Sequence, residues 1–356
     1  MNYTGKNRSR TDFDIQYDVD LKPFNTLNVS AVAEQFVIVS SLSQIKGLYE
    51  GGYFDNGHWI LGGGSNVLFV GRVKELVVKI EIEHRTLVRE EESQVSIRAG
   101  AGHDWHQLVE WCVNNRWGGL ENLALIPGCV GAAPIQNIGA YGVELKDHFE
   151  CLEAFDTETG EVVKFDKEEC RFGYRDSFFK SENPGRYIIT SVSLMLDKPP
   201  HKIRNNYPSL KSWLERHGIE EPGISDIYEG VIEIRSSKLP DPKSLGNAGS
   251  FFKNPIINRR ELKELQQNWP NAPCYPVGEE YVKVPAGWLI EMSGWKGKRI
   301  GNVGVFENQA LVIVNHGDAT GLEVLRLAEK IRQSVQEMFG IELVPEVNIA
   351  GEGRIL

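Results

Sequence analysis

Two glycine-rich segments in the N-terminal half have the composition of a phosphate-binding site. The first is LGGGSNVL, residues 61–68, where three consecutive glycines separate two apolar runs. Glycines in such a turn let several backbone N–H groups point into one concavity, which binds phosphate without a basic side chain. The Rossmann fingerprint is absent, because its third glycine is missing and VLFV follows where a helix is required. Taken alone, GGGSN also fits a tight turn between two strands.

The second segment is IPGCVGAAPIQNIGAYG, residues 126–142, which contains four glycines, three alanines and two prolines. A run of such small side chains lets the backbone lie against a flat or extended ligand. Gln136 and Asn137 add amide donors and acceptors. A structural Ω-loop is the alternative, although such a loop rarely needs so many small residues in a row. Together the two segments predict a large dinucleotide held mainly by backbone groups.

Basic and hydrogen-bonding side chains cluster farther along the chain, around Ser250. They are Arg235, Lys238, Lys253 and Asn254. The cluster predicts a platform for an anionic ligand within an acidic chain, although the lysines alone could be ordinary surface charge.

Three further polar residues have ordinary explanations when each is considered alone. Arg175 could form a surface salt bridge with Asp176, which contributes little to stability. Ser250 could be a turn residue, and Glu346 could be a solvated strand residue. Their roles therefore depend on the segments in which they occur.

Composition and length limit the class of protein. The chain has 356 residues and a net charge of −10, which indicates two or three domains and argues against non-specific nucleic-acid binding. Five cysteines without a C-x-x-C pair favour a reducing compartment. His103 and His106 lack an evident third ligand, so no metal site is predicted. Without a signal peptide or a membrane-spanning run, a cytoplasmic protein that does not contact membranes is expected.

Strands and helices alternate along the chain, and the polar segment 201–225 predicts a loop and a helix before a domain boundary between Ser225 and Lys238. The other main predicted elements are a helix from Asp104 to Asn114, a hairpin over 151–165 with its turn at Thr157–Gly160, a long helix over 320–339 and a terminal strand over 343–349.

Seven segments, in this order, resemble the UDP-N-acetylenolpyruvoylglucosamine reductase (MurB) family. They are LGGGSN (61–66), AGAGHDW (99–105), IPGCVGAAPIQNIGAYG (126–142), FGYRDSFFK (172–180), GNAGSFFKNP (246–255), AGWLIE (286–291) and LVPEV (343–347). In addition, RNNYPSL, residues 204–210, is similar to an inserted loop that characterises the longer of the two family types.

The resemblance implies an α+β fold. Its N-terminal part would be a two-part FAD-binding domain of the vanillyl-alcohol oxidase and para-cresol methylhydroxylase type, and its C-terminal part an α+β substrate domain. The implied division is an N-terminal extension (1–20), an FAD-binding domain (21–225, with subdomains of roughly 21–80 and 81–225), a substrate domain (226–342) and a terminal strand that returns to the active site (343–356).

The resemblance also implies a reaction. NADPH would reduce non-covalently bound FAD, and hydride from flavin N5 would then reduce UDP-N-acetylglucosamine enolpyruvate to UDP-N-acetylmuramate in peptidoglycan synthesis. One site would serve NADPH and the sugar nucleotide in turn, because no separate NADPH fingerprint is visible. A monomer is expected. The alternatives are another FAD oxidoreductase of the same superfamily and a non-catalytic protein that binds a UDP-sugar or FAD.

Site residues follow from the resemblance position by position. Arg175 would stabilise charge on the substrate carboxylate, Glu346 would donate to it, which requires a raised carboxyl pKa, and Ser250 would protonate carbon. The implied substrate-binding residues are Tyr174, Tyr207 as a lid, Arg235, Lys238 and Asn254. The implied cofactor-binding residues are Gly62, Gly63, Gly64, Ser65, Asn66, Ile126, Pro127, Gly128, Gly131, Ala132, Ala133, Gln136, Asn137, Ile138 and Gly139.

Overall fold

The computed structural model describes residues 13–352. In this part of the chain the strands are β1 (Gln16–Asp20), β2 (Val32–Val39), β3 (His58–Leu61), β4 (Val67–Val70), β5 (Arg72–Val73), β6 (Leu76–Ile80), β7 (Arg85–Glu90), β8 (Gln94–Gly100), β9 (Gly139–Ala140), β10 (Val143–Glu144), β11 (Phe149–Asp156), β12 (Val162–Asp166), β13 (Tyr187–Asp197), β14 (Gly246–Ser250), β15 (Ile256–Asn258), β16 (Tyr275–Val277), β17 (Tyr281–Lys283), β18 (Arg299–Ile300), β19 (Val303–Val305), β20 (Val312–Asn315) and β21 (Asn348–Gly351).

The α-helices of the same residues are α1 (Leu42–Glu50), α2 (Trp105–Asn114), α3 (Phe178–Ser181), α4 (Pro208–Arg216), α5 (Ile224–Lys238), α6 (Arg259–Asn268), α7 (Ala286–Met292) and α8 (Gly321–Phe339). Short 3-10 turns occur at Lys22–Phe24, Glu121–Leu123, Val130–Ala132 and Leu145–Asp147. No helix between residues 13 and 352 combines the length and the apolar character that a bilayer crossing requires.

The first compact unit contains Ala33–Gly63 and Lys74–Arg235 together with the described residues before Asp20. Its β2, β6 and β3 pair in parallel. The apolar strand β6 is buried along most of its length, as expected for a parallel strand covered on both faces. A second, antiparallel sheet has the strand order β12, β11, β13, β8, β7.

Helix α2 of this unit begins where the sequence predicts. The side chain of Asp104 accepts a hydrogen bond of 2.8 Å from the N–H of Gln107, which caps the helix. Leu108 and Cys112, one turn apart, are both buried in the core. The helix ends at Asn114 as predicted, and the predicted hairpin is confirmed by β11 and β12.

The second compact unit contains Asp20–Val32, Gly64–Val73 and the described residues from Ser236 onward. Its main sheet is antiparallel, in the order β14, β20, β19, β18, and a smaller sheet has the order β15, β17, β16. The apolar side of helix α8 contributes to a core of its own, in which Val324, Ile331 and Val335 are fully buried.

The terminal strand begins later than predicted. The sequence predicts a strand over 343–349, whereas β21 covers Asn348–Gly351 and pairs in parallel with β4. Residues 344–346 run instead beside residues 251–253, where Phe252 and Pro345 form an isolated antiparallel bridge. The segment therefore has two successive partners and does not form one continuous strand.

The compact units are not continuous in sequence, unlike the predicted domains. Pairing of β21 with β4 brings residues 64–73 into the second unit. The interval between Ser225 and Lys238 is occupied by helix α5, and the division between the units falls after Arg235. Strand β1 lies within the predicted extension 1–20, while residues 1–12 and 353–356 lie outside the described residues. Assignment of domains to cofactor and substrate stays a prediction.

Candidate functional site

The two predicted phosphate-binding loops pack against each other in the first unit. A Cβ added at Gly63 would lie 2.8 Å from Cα of Gly128, and one added at Gly62 would overlap Sγ of Cys129. Backbone therefore lies directly on backbone at this place. This packing is enough to explain why residues 62 and 63 are glycines, whether or not a ligand binds there. It also brings both loops to one surface.

The second loop is fixed by hydrogen bonds to the turn before helix α2. The N–H of Val130 donates to O of His103 at 2.9 Å, and the N–H of Gly131 donates to O of Ala101 at 2.8 Å. At the other side, the N–H of Trp105 donates to O of Gly128 at 3.0 Å. The loop is therefore supported by backbone hydrogen bonds to the residues around the start of helix α2.

The amide of Asn137 belongs to the internal structure of the loop. Asn137 is fully buried. Its Nδ2 donates to Oε2 of Glu144 at 3.1 Å and to O of Gly173 at 3.0 Å, and its Oδ1 accepts from the N–H of Lys146 at 3.0 Å. Any cofactor contact at this position would therefore use the backbone. The predicted neighbour Gln136 accepts from Nζ of Lys180 at 3.3 Å.

Four residues of the first unit form what we call the arginine–tyrosine cluster: Tyr141, Arg175, Tyr207 and Arg235. Nη2 of Arg175 donates to O of Gly139 at 2.8 Å. The rings of Tyr141 and Tyr207 meet edge to face, with centroids 5.1 Å apart. Besides burial, the charge of Arg175 lowers the pKa of the Arg235 guanidinium, so these two side chains lie close enough to interact. Three predicted site residues are thus collected here, and Tyr174 lies beside Arg175, 5.7 Å from its guanidinium.

Arg235 is half-buried, and one nitrogen of its guanidinium group lacks a partner among the described residues. Its Nε is buried and makes no hydrogen bond within residues 13–352. Burial lowers the pKa of the Arg235 guanidinium, and the charge of Arg175 lowers it further. An arginine nevertheless stays protonated at neutral pH. A buried cation without a full set of acceptors is costly, and an anionic ligand would offset that cost.

Backbone conformation at the cluster is unusual. Tyr141 and Arg175 have φ angles of 50° and 53°, in the left-handed region that side chains other than glycine rarely adopt. Asn137 has a φ of 44°. Such conformations cost about 1–3 kcal/mol each and occur preferentially at functional sites.

The second unit brings Ser250 and Glu346 onto adjacent segments. Strand β14 ends at Ser250, and the N–H of Glu346 donates to O of the next residue, Phe251, at 2.8 Å. Both Ser250 and Glu346 are half-buried. Gly249 has a φ of 66°, and an added Cβ there would meet nothing within 4 Å. Glycine is therefore needed at 249 for its backbone conformation and not for space.

The other predicted residues of the second unit occupy different places. Nδ2 of Asn66 donates to O of Glu346 at 3.3 Å. Gly64, with a φ of 65°, has the backbone of Phe24 where a Cβ would be. Oδ1 of Asn254 accepts from the N–H of Ala286 at 2.9 Å, at the start of helix α7.

Lys238 is exposed at the end of helix α5. It lies three residues after Arg235 in the same helix. Residues at this spacing share a helix face, so the sequence places both cations on one side of α5.

Sequence reasoning missed Tyr141 and Asn122. Tyr141 is the next-to-last residue of the small-residue loop 126–142. A large ring among small side chains was the sequence signal that could have identified it. Asn122 is fully buried and donates to carbonyls of two loops, which no local pattern reveals. A separate polar cavity of about 270 Å³ in the first unit is lined by none of the predicted site residues, although Asn122 lies in its wall. Over the described part of the chain, no group of three or more metal-ligating side chains is found.

The facing loops satisfy a basic requirement for FAD, because a pyrophosphate that approaches the backbone needs a lining without bulky side chains. This lining fits the flavin-binding class of proteins. Residues 55–166 match the FAD binding domain family. Residues 241–350 match the family described as UDP-N-acetylenolpyruvoylglucosamine reductase, C-terminal domain.

The chain belongs to the UDP-N-acetylenolpyruvoylglucosamine reductase family and is an FAD-containing oxidoreductase. It is 45% identical to the reductase of that name from Flavobacterium johnsoniae, over 94% of this chain and 99% of the relative. It is 46% identical to the one from Burkholderia pseudomallei, over 92% of this chain and 95% of the relative.

Among solved structures, the MurB from Thermus caldophilus is similar, with a TM-score of 0.67 and 25% identity, over 96% of this chain and 99% of that one. The predicted family and the α+β fold class, with an FAD-binding domain and a C-terminal domain, are confirmed.

Proposed function

We propose that this protein reduces UDP-N-acetylglucosamine enolpyruvate to UDP-N-acetylmuramate with NADPH, in peptidoglycan synthesis. The reaction adds a hydride to the methylene carbon of the enolpyruvyl group and a proton to the neighbouring carbon, and NADPH is oxidised to NADP⁺. Family membership supports the substrate, because the relatives carry the name of this reductase.

The observation that carries the chemical part of the proposal is the pairing of the Ser250 and Glu346 segments. These residues are far apart in sequence, and ordinary turn and surface roles would not require them to come together. A hydroxyl and a carboxyl on adjacent segments are the groups that a proton transfer to an enolate needs.

Arg175 and Glu346 have complementary proposed roles toward the substrate carboxylate. Hydride addition pushes negative charge onto this carboxylate, which becomes enolate-like. A guanidinium stabilises such charge through paired hydrogen bonds. The carboxyl of Glu346 contributes when it holds a proton, which it then donates to the enolate oxygen.

Ser250 is the proposed proton donor to carbon. A serine hydroxyl is a weak acid, but an enolate is a strong base, so a positioned hydroxyl suffices. Such a positioned acid typically accelerates a reaction by about 10²–10⁴-fold. Gly249 gives the chain the left-handed turn that precedes this hydroxyl.

The arginine–tyrosine cluster is proposed to bind the anionic substrate. Arg235 supplies a partly buried positive charge. Tyr207 directly precedes the N-terminus of helix α4 and is exposed enough to move onto a ligand. Tyr174, Lys238 and Asn254 are each proposed to bind the substrate as well. Local charge of this kind allows an acidic chain to bind a nucleotide diphosphate.

Non-covalent FAD is proposed to lie along the two facing loops and, when bound, to carry hydride from NADPH to the substrate. The residues proposed to hold it are those of 62–66 and 126–139 predicted from the sequence. Their hydrogen-bonded backbone would orient the group for the reaction. A monomeric state and a cytoplasmic location stay predictions of the sequence.

The test is a spectroscopic cycle on the purified protein without oxygen. We expect yellow protein that bleaches on addition of NADPH and regains its colour on addition of the enolpyruvyl UDP-sugar, with one sugar reduced per flavin. Recovery with oxygen but not with the sugar would indicate an oxidase of the same superfamily. Colourless protein that still binds the sugar nucleotide would indicate a non-catalytic binder.

A further inference from the structure

Asn122 connects two loops of the first unit through a single amide group. It lies in the short 3-10 turn Glu121–Leu123 and is fully buried. Its Nδ2 donates to O of Tyr141 at 3.1 Å and to O of Arg204 at 2.8 Å. Both amide hydrogens are therefore used, and each binds a different loop.

Both carbonyls belong to the immediate surroundings of Tyr207. Tyr141 supports the Tyr207 ring from the side, with an interplanar angle of 70°. Arg204 precedes Tyr207 by three residues, and its Nη1 also pairs with Oδ2 of Asp147 at 2.8 Å. Tyr207 itself is 47% exposed, so little of its position is set by burial.

The residue type at 122 matches this task. Only an amide or a longer cationic side chain has one nitrogen that donates to two carbonyls, and a charged group would be costly in this buried turn. Oδ1 of Asn122 is buried and has no hydrogen-bond partner within residues 13–352. An unsatisfied buried acceptor costs about 1–3 kcal/mol, so the side chain is kept for its donors.

We propose that Asn122 is a positioning residue that sets the Tyr141–Tyr207 pair for binding of the sugar nucleotide. The inference rests on the proposed function in one respect, namely that Tyr207 contacts the substrate. Asn122 acts through the backbone of both loops and does not touch the substrate.

The test is a double-mutant cycle on the FAD-loaded enzyme with Asn122→Ala, Tyr207→Ala and the double variant. Each single variant is expected to raise KM for the enolpyruvyl UDP-sugar by about 10-fold, the effect of losing one or two hydrogen bonds. The double variant should be within about twofold of Tyr207→Ala, because both changes remove the same contact. Asn115→Ala is the matched control, since Asn115 also donates to a backbone carbonyl, that of Trp111 at 2.7 Å.

The possible outcomes separate the inference from the proposed function. Multiplicative effects in the double variant would show that Asn122 acts independently of Tyr207 and would overturn the inference. So would an unchanged KM in Asn122→Ala, or loss of flavin and of cooperative unfolding in both Asn122→Ala and Asn122→Ser. An unchanged KM in Tyr207→Ala would instead remove the proposed role of Tyr207, on which the inference depends.

Discussion

In the unit that contains Arg175, buried amide side chains hold the loops of the proposed recognition groups, whereas in the unit that contains Ser250 the proposed proton donors lie on two segments paired through their backbones. A buried amide contributes there too, because Oδ1 of Asn247 accepts from the N–H of Gly249 at 3.0 Å. In the first unit, Asn137 donates to the carbonyl of Gly173, and Asn122 donates to the carbonyls of Tyr141 and Arg204. In the second, backbone bonds between residues 251–253 and 344–346 hold the segments together.

The two arrangements also differ in backbone strain. Tyr141 and Arg175 have left-handed backbone with full side chains, whereas the left-handed residue beside Ser250 is a glycine. Strain at a non-glycine residue persists only where surrounding bonds over-determine it. We therefore expect the arginine–tyrosine cluster to be sensitive to loss of buried amides, and the Ser250 segment to tolerate a change of the Ser250 side chain that leaves the backbone and Asn247 intact.

The largest effect should come from Ser250→Ala. Because strand pairing holds the segment, the variant should fold normally and lose only the hydroxyl. Reduction of the enolpyruvyl sugar should fall by about 10²–10⁴-fold or more, while bleaching by NADPH continues at its normal rate. Anaerobic stopped-flow absorbance of the flavin follows the two half-reactions separately.

Ser244→Ala is the control for this experiment, because Ser244 is an exposed serine whose hydroxyl bonds to O of Asp241 at 3.0 Å. It should leave both half-reactions unchanged. If Ser250→Ala carries out both half-reactions at normal rates, another group is the proton donor. The second unit would then not be the source of the proton.

Asn137→Ala should have the largest effect on stability. It leaves the half-buried carbonyl of Gly173 and the N–H of Lys146 without their partner and places alanine at a φ of 44°. The expected loss is about 3 kcal/mol of unfolding free energy, with lower flavin content. Urea denaturation and flavin absorbance per chain measure the two effects.

Asn258→Ala is the comparison variant for Asn137→Ala, because Asn258 caps helix α6 at the exposed surface of the second unit. It should cost about 1 kcal/mol and leave flavin content unchanged. Equal losses in the two variants would contradict the idea that buried amides are the principal support of the first unit.

Arg235→Met should separate binding from stability. Removal of a partly buried cation whose Nε lacks a partner should not lower the unfolding free energy, and KM for the UDP-sugar should rise by about 10-fold. Thermal unfolding and steady-state kinetics measure both. Arg216→Met, on the exposed end of α4, is the control and should change neither. A clear loss of stability without a change in KM would make Arg235 a structural residue.

Local elements were predictable because their signals are local. Asp104 has both the side chain and the spacing of a helix cap, and it forms one. The same holds for the hairpin around Thr157–Gly160. The sequence predicts one strand over 343–349, but the pairing changes partner within the segment, which depends on distant residues.

The candidate site was predictable only in part. The glycine-rich loops were visible as sequence, but their contact at Gly63 and Gly128 was not. The use of Asn137 inside the protein was also hidden, because an amide in a loop gives no sign of whether it faces a ligand or the core. Left-handed backbone at Arg175 is set by tertiary contacts and has no sequence signal of its own.

The smallest effect is expected in helix α8. A substitution there tests whether a loss of stability in the second unit is enough to change catalysis. Oγ1 of Thr320 accepts from the N–H of Glu323 at 3.2 Å, and the Glu323 carboxylate accepts from the N–H of Thr320 at 2.8 Å. Thr320→Ala removes half of this capping box and should cost about 1 kcal/mol. Ser334→Ala, in the middle of the same helix, should be neutral or slightly stabilising, because its hydroxyl bonds back to O of Lys330. Strand pairing and not helix capping holds Ser250 and Glu346, so kcat should stay unchanged in both variants. A fall in kcat with Thr320→Ala would show that the two segments depend on α8.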